Sequence, residues 1–205
     1  MVGIIDYGMG NLLSVFHAVE HLGFPAGFCR KPEELAGCER LILPGVGAFR
    51  DCMNNLHDRR LVEPLNEAVL SRHVPILGIC LGMQAMARRS FEGGEHAGLG
   101  WFAAEVVRLQ PAEPALRVPH MGWNSLGRRA AHPLFAGVPA DADFYFVHSF
   151  HLRCEKADEV IATCEHGGPV TAVVARANIF ATQFHPEKSQ THGLRLLENF
   201  LTWKP

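Results

Sequence analysis

The amino-acid sequence predicts an α/β fold with a mixed, largely parallel central sheet flanked by helices. In the first half, short apolar runs alternate with stretches of helical periodicity, the pattern of parallel strands joined by crossover helices. In the second half, strand-like runs follow one another across turn signals, so some antiparallel pairing is expected there. The chain has 205 residues, 48% hydrophobic and 20% charged. That supports one sizeable core, and residues 1–205 read as a single domain.

Val2–Asp6 is an apolar run closed by Tyr7-Gly8, and Leu12, Leu13, Val15, Phe16, Val19 and Leu22 then recur at helical spacing up to Gly23. Phe24–Cys29 reads as a second strand, Pro32-Glu33-Glu34 as a helical turn, and Arg40–Pro44 as a third strand ending at Gly45-Val46-Gly47. A longer helical region runs through Leu70. Val74–Ile79 is a continuous apolar run, as expected of a strand buried on both faces, and Leu81–Arg89 after it is rich in helix formers. Further strands are expected at Trp101–Leu109, Phe144–Val147, Val160–Cys164, Thr171–Arg176 and Ile179–Phe184. A last helix from about Thr191 carries Leu194, Leu197, Phe200 and Leu201 on one face.

Composition narrows the function. Lys and Arg number 19 against 21 Asp and Glu, a formal charge of −2, so the field that holds nucleic-acid phosphates or acidic lipid is missing. No stretch approaches the apolar length of a membrane span, and the N-terminus lacks a basic, cleavable leader pattern. The six cysteines form no C-x-x-C pair, which favours a reducing compartment, and a cytoplasmic location is expected. Gly8-Met-Gly10 lacks the third glycine of a dinucleotide fingerprint, and no phosphate-binding loop for ATP is present, so no cofactor is expected. His148 and His151 fall on opposite faces of an expected strand, without a metal-ligand motif around them; no metal site is assigned.

Three local patterns carry chemistry. Gly78-Ile-Cys80-Leu-Gly82 is a G-x-C-x-G string between an expected strand and an expected helix, the setting of a nucleophile elbow. The glycines relieve crowding at a sharp turn, and the positive end of the following helix favours a thiolate. A cysteine in an apolar run is ordinarily a small core residue, and Cys29, Cys38, Cys52, Cys154 and Cys164 are read that way. A thiolate nucleophile needs a proton-transfer partner, and Gln183-Phe-His185-Pro-Glu187-Lys-Ser189 supplies a histidine and, two residues on, a carboxylate. In an extended segment the two side chains share a face, so Glu187 can orient His185. Pro44-Gly-Val-Gly47 follows a strand, where glycines let backbone N–H groups approach a developing oxyanion.

Elbow, glycine loop and His-Pro-Glu in this order resemble the class I (triad) glutamine amidotransferases from end to end of the chain. Narrower marks are Asp6-Tyr-Gly-Met-Gly-Asn11, Leu43–Gly47, Gly78–Gln84, Pro119-His-Met-Gly-Trp-Asn124, Tyr145-Phe-Val-His-Ser149 and Ala181–Ser189. Together these are similar to the glutaminase subunits of imidazole glycerol phosphate synthase, from histidine biosynthesis.

That resemblance implies flavodoxin-like layers and a Cys80–His185–Glu187 triad hydrolysing glutamine to glutamate and ammonia. It also implies an oxyanion hole from Val46, Gly47 and the Leu81 N–H, and a substrate pocket of Gly45, Gln84, Glu92, His148, Ser149 and Phe150. The partner it implies is a (β/α)8-barrel cyclase that takes up the ammonia. Asn11, His120, Met121, Trp123, Tyr145 and Lys188 fall on family positions near that interface, although Trp123 could equally be a core aromatic. Phe150 stands where many relatives carry Tyr. The triad alone also fits glutaminases serving pyridoxal phosphate, anthranilate or surface-sugar amidination, and a binding module with a redox-sensitive Cys80 is a third reading.

Overall fold

The computed structural model describes residues 1–113 and 115–205. Strand β1 (Val2–Ile5), helix α1 (Leu12–His21), β2 (Ala26–Cys29) and β3 (Arg40–Gly45) open the alternation, and α2 (Phe49–Asp58), α3 (Val62–Asn66) and β4 (Ile76–Cys80) continue it. After α4 (Leu81–Ala85) come β5 (Ala87–Ser90), β6 (His96–Ala97), β7 (Phe102–Arg108), β8 (His120–Ser125) and β9 (Gly127–Arg128). The chain ends with β10 (Asp143–His148), β11 (Phe150–Cys154), β12 (Val160–Glu165), β13 (Pro169–Arg176), β14 (Ile179–Thr182) and α5 (Gln190–Thr202).

The main sheet has eight strands in the order β2-β1-β3-β4-β14-β13-β12-β9. The pairings from β2 to β14 are parallel, and those beyond β14 are antiparallel. A four-stranded sheet (β11-β7-β5-β6) and a β10–β8 ribbon complete the fold. Successive residues of the parallel strands feed opposite cores. Ile5, Leu41, Leu43 and Ile76 pack with Phe49, Leu56 and Leu65, while Ile4, Ile42, Leu77 and Ile79 pack with Val15, Val19, Leu197 and Phe200. Burial on both faces explains why these strands read as unbroken apolar runs.

One expected helical region is split and another is shorter than the sequence suggests. The region expected to run through Leu70 does so, since α3 passes into a π-helical turn over Glu67–Ser71, but it is interrupted at Arg60, which has a positive φ of 56°, where Leu61 N–H closes on Leu56 O. The expected helix over 81–89 stops at Ala85. Leu99, Phe102 and Gly100 donate their N–H groups to the carbonyls of Ala85, Met86 and Ala87, so a returning strand takes the acceptors that a further helical turn would have used. Helix propensity at 86–89 loses to sheet pairing, with Ala87 opposite Phe102. The β8 and β11 strands were absent from the sequence-based strand assignment. Both alternate only weakly, and each is set by a distant partner, β10 and β7 respectively.

The topology positions the site. β4 lies between β3 and β14, all three parallel, with Gly45 opposite Cys80 and Thr182 opposite Ile79. The glycine loop after β3, the cysteine that ends β4 and the His-Pro-Glu after β14 therefore emerge side by side at one sheet edge. Ligands collect at such an edge, beyond the carboxyl ends of the strands.

Candidate active site

Cys80 occupies the turn between β4 and α4 with φ 54° and ψ −108°, a strained region for a non-glycine residue. The flanking glycines make that turn possible. A Cβ on Gly82 would land on the Leu43 carbonyl oxygen, far inside contact distance, and one on Gly78 would sit 2.7 Å from Met86 Cε and 3.1 Å from Met83 Cα. Gly45, opposite the cysteine, has no room either: its Cβ would be 2.6 Å from the Tyr7 hydroxyl. The positive helix end expected beside the sulfur is weak. With only Leu81–Ala85 in α4 there is little macrodipole, and what the turn supplies is free N–H groups, Leu81 N–H first.

The histidine is held by side-chain and backbone bonds. His185 N–H donates to Tyr145 O at 2.9 Å, and Ser189 Oγ bridges the turn, donating to His185 O at 2.6 Å and accepting from Tyr145 N at 2.9 Å. His185 Nδ1 lies 2.8 Å from Glu187 Oε1, with both side chains buried. The expected extended geometry is corrected here: Pro186–Lys188 forms a 3-10 turn, and the carboxylate reaches the ring by curling back. Among the described residues His185 Nε2 has no hydrogen-bond partner, and it is the nitrogen left for chemistry. Burial alone would lower the pKa of His185, but the Cys80 sulfur and the Glu187 carboxylate outweigh it and hold the pKa at about 9.

Cys80 and Leu81 line a cavity of about 370 Å³. The other expected residues that reach it are Val46 and Gly47 on the glycine loop, Gln84 and Glu92, and His148, Ser149 and Phe150 at the β10–β11 junction. Gly45 is not among them; it lies in β3 beneath the elbow. Gln84 Nε2 donates to Phe150 O at 2.9 Å and to Gln183 Oε1 at 3.1 Å. Both amide protons are thereby used, and its Oε1 remains as an acceptor for a cationic group. Glu92 Oε2 accepts from Phe49 N–H at 2.8 Å, at the start of α2. The cavity thus offers carboxylate and amide oxygens on one side and backbone on the other, a setting for a small zwitterion.

Three residues with no role assigned from sequence complete the geometry. Gln183 directs Nε2 at Cys80 Sγ from 3.6 Å, Tyr7 donates its hydroxyl to Pro44 O at 2.9 Å and so fixes the root of the glycine loop, and Ser189 ties the histidine turn to β10. Tyr7, Gln183 and Ser189 are all buried. The Asp6–Gly10 and Gln183–Ser189 strings contain them, but their partners lie 37 to 103 residues away, beyond any local spacing rule.

The expected partner-facing residues gather near the same edge. Met121 is 64% and Trp123 49% exposed, and Trp123 packs edge-on against Tyr145 at 5.9 Å between ring centroids. Asn11 and Lys188 are half-buried, whereas the His120 side chain is buried and points inward.

A model of the class-I glutamine amidotransferases matches residues 3–203, which fixes the class. Solved structures share the fold: one glutamine amidotransferase has a TM-score of 0.74 at 24% identity, covering 98% of this chain and 96% of that one. PurLQS from Thermotoga maritima has 0.76 at 17%, with coverages of 98% and 96%. Curated relatives are nearer. The imidazole glycerol phosphate synthase subunit HisH of Agrobacterium fabrum is 48% identical, over 100% of this chain and 99% of its own length. That of Rhodospirillum rubrum is 47% identical over the same shares. The chain belongs to the class-I glutamine amidotransferase family, in its branch of imidazole glycerol phosphate synthase HisH subunits.

Proposed function

We propose that residues 1–205 act as one glutaminase domain that hydrolyses glutamine through Cys80, His185 and Glu187 and delivers the ammonia to a (β/α)8-barrel cyclase subunit in histidine biosynthesis. The observation that carries this reading is a strained cysteine elbow that lines a cavity with Gln84 and Glu92 and is backed by a buried His185–Glu187 pair next to the sulfur. Glutamine enters with its ammonium against Gln84 Oε1 and the Glu92 carboxylate and its carboxylate toward the Ser149–Phe150 backbone.

The Cys80 thiolate then attacks the side-chain amide carbon. The carbonyl oxygen becomes an oxyanion, received by the Leu81 N–H and by the Val46–Gly47 loop. Protonated His185 gives its Nε2 proton to the nitrogen as the C–N bond breaks, releasing ammonia and leaving a glutamyl thioester. Neutral His185 next takes a proton from water, whose oxygen displaces the thiolate and yields glutamate. Glu187 keeps the ring oriented and stabilises its cation throughout. Within this reading the exposed Met121–Trp123 edge, with Asn11, Tyr145 and Lys188, receives the cyclase. Among the described residues no helix is long and apolar enough to cross a membrane.

Glutamate release is measured for the chain alone, with the cyclase, and with cyclase plus its nucleotide substrate. Little activity is expected alone and a large rise in the last mixture. In that mixture Cys80→Ala should lower the rate by roughly 10⁴-fold or more. A stimulated rate retained by Cys80→Ala overturns the mechanism, and no response to the cyclase overturns the partner.

A further inference from the structure

A line of hydrogen bonds runs from β8, the strand of Met121 and Trp123, to the wall of the cavity. Its two ends are backbone carbonyls, which only accept, so the direction of every bond between them is fixed. Asn124 Nδ2 lies 2.8 Å from Glu165 O and 3.2 Å from His120 Nε2. One amide proton goes to the carbonyl and the other to the ring, so His120 Nε2 is the bare nitrogen. His120 Nδ1 then carries the proton and donates it to His148 Nε2 at 3.0 Å. His148 in turn is protonated at Nδ1, which donates to Phe150 O at 2.8 Å.

An added proton on either ring would set two donors against each other somewhere along the line. The rings are neutral: burial, with His166 nearby, lowers His120 to about 4, and burial lowers His148 to about 3. His120 is also clamped flat between Phe146 and His166, at 4.8 and 4.2 Å between centroids. At the far end, the Phe150 carbonyl that receives His148 is the same one that receives Gln84 Nε2.

We propose that His120 is a positioning residue of the glutamine pocket: as the Nδ1–H tautomer it sets the orientation of His148 and the 148–150 wall, joining that wall to the strand of Met121 and Trp123. The word glutamine rests on the glutaminase reading above; the order of protons does not. A merely structural histidine would need only its flat shape between Phe146 and His166. A positioning histidine needs the donor at Nδ1 and the acceptor at Nε2.

Two measurements on the cyclase complex decide it. Long-range ¹H–¹⁵N correlation spectra of histidine-labelled protein should show both His120 and His148 protonated at Nδ1 alone between pH 6 and 8. A His120 protonated at Nε2, alone or as the cation, overturns the proposal whatever the enzyme's activity. In steady-state kinetics, His120→Phe keeps the stack but loses both nitrogens, and His120→Asn keeps an N–H donor near the Nδ1 position. The Phe variant should raise KM for glutamine about tenfold with kcat within about threefold, and the Asn variant should recover most of that loss. Unchanged KM in His120→Phe, or equal impairment of the two variants, overturns it. Should His120→Phe fail to fold, the tautomer spectra decide alone. Failure of the glutaminase reading would show separately, as absent glutamate release by the wild-type complex.

Discussion

The nucleophile and its base are brought together by different means. Cys80 is placed by backbone: two glycines too crowded for any side chain, a parallel register that sets Gly45 beside it, and one left-handed residue at the end of β4. His185 is placed largely by side chains, Ser189 across its turn and Glu187 on its ring, with one backbone bond from its N–H to β10. A backbone device is all or nothing, since a clash there moves whole elements. A side-chain device can lose one bond and keep the fold. The two halves of the site should therefore fail differently, the first in stability and the second in rate.

Gly82→Ala tests the backbone half most severely. Its methyl would meet the Leu43 carbonyl and push α4 off β3, which should cost about 3 kcal/mol in thermal or denaturant unfolding. Wild-type stability for this variant would show that the elbow is looser than its contacts imply.

Glu187→Gln tests the other half without altering shape. It leaves the imidazolium without its charged partner, so the glutaminase kcat of the cyclase complex should fall about a hundredfold, near 2.7 kcal/mol, with a small change in melting temperature.

The pH profile sharpens the same contrast. His185 must carry a proton to release ammonia, and with its pKa held at about 9 acylation should decline as pH rises through that value. In Glu187→Gln the decline should begin at lower pH, because one of the two interactions raising the pKa is gone. The sign for stability is parallel. A histidine pKa raised above its unfolded value of about 6.5 contributes stability that is complete below that value and is lost as pH climbs toward 9. An alkaline limb that stays in place in Glu187→Gln would break the assignment of Glu187 as the orienting carboxylate.

Ser189→Ala should have the smallest effect. It removes the hydroxyl that bridges His185 O and Tyr145 N, worth about 1 kcal/mol, and should lower kcat several-fold with KM for glutamine unchanged. A loss as large as that of Glu187→Gln would mean that the turn has no other support.

The contrast also explains what could be read in advance. The elbow was legible because its requirements are local: small residues two before and two after the cysteine, a strand behind it, a helical turn ahead. The His185–Glu187 pairing was legible for the same reason, although its 3-10 path was not, because an extended and a curled His-Pro-Glu carry the same residues. Gln183 was not legible as the donor to Cys80, nor Tyr7 as the anchor of Pro44, since each role exists only once β14 and β1 are in place. The strand at 87–90 was missed because its helix formers answer to a neighbour 15 residues on, Phe102, and not to their own propensity. His120 was placed near an interface from its motif, yet its ring turns inward to His148, 28 residues away.

By itself the sequence determined the alternation of buried strands and amphipathic helices, the glycines that permit a sharp turn, and the residue types able to do thiol chemistry, all matters of composition and spacing over a few residues. The tertiary structure alone decided that β3, β4 and β14 lie side by side in parallel, that His120 and His148 share one hydrogen-bonded line, and which carbonyls end it. The reason is that hydrogen-bond direction and sheet order depend on groups brought together across tens of residues, and short-range spacing carries no record of them.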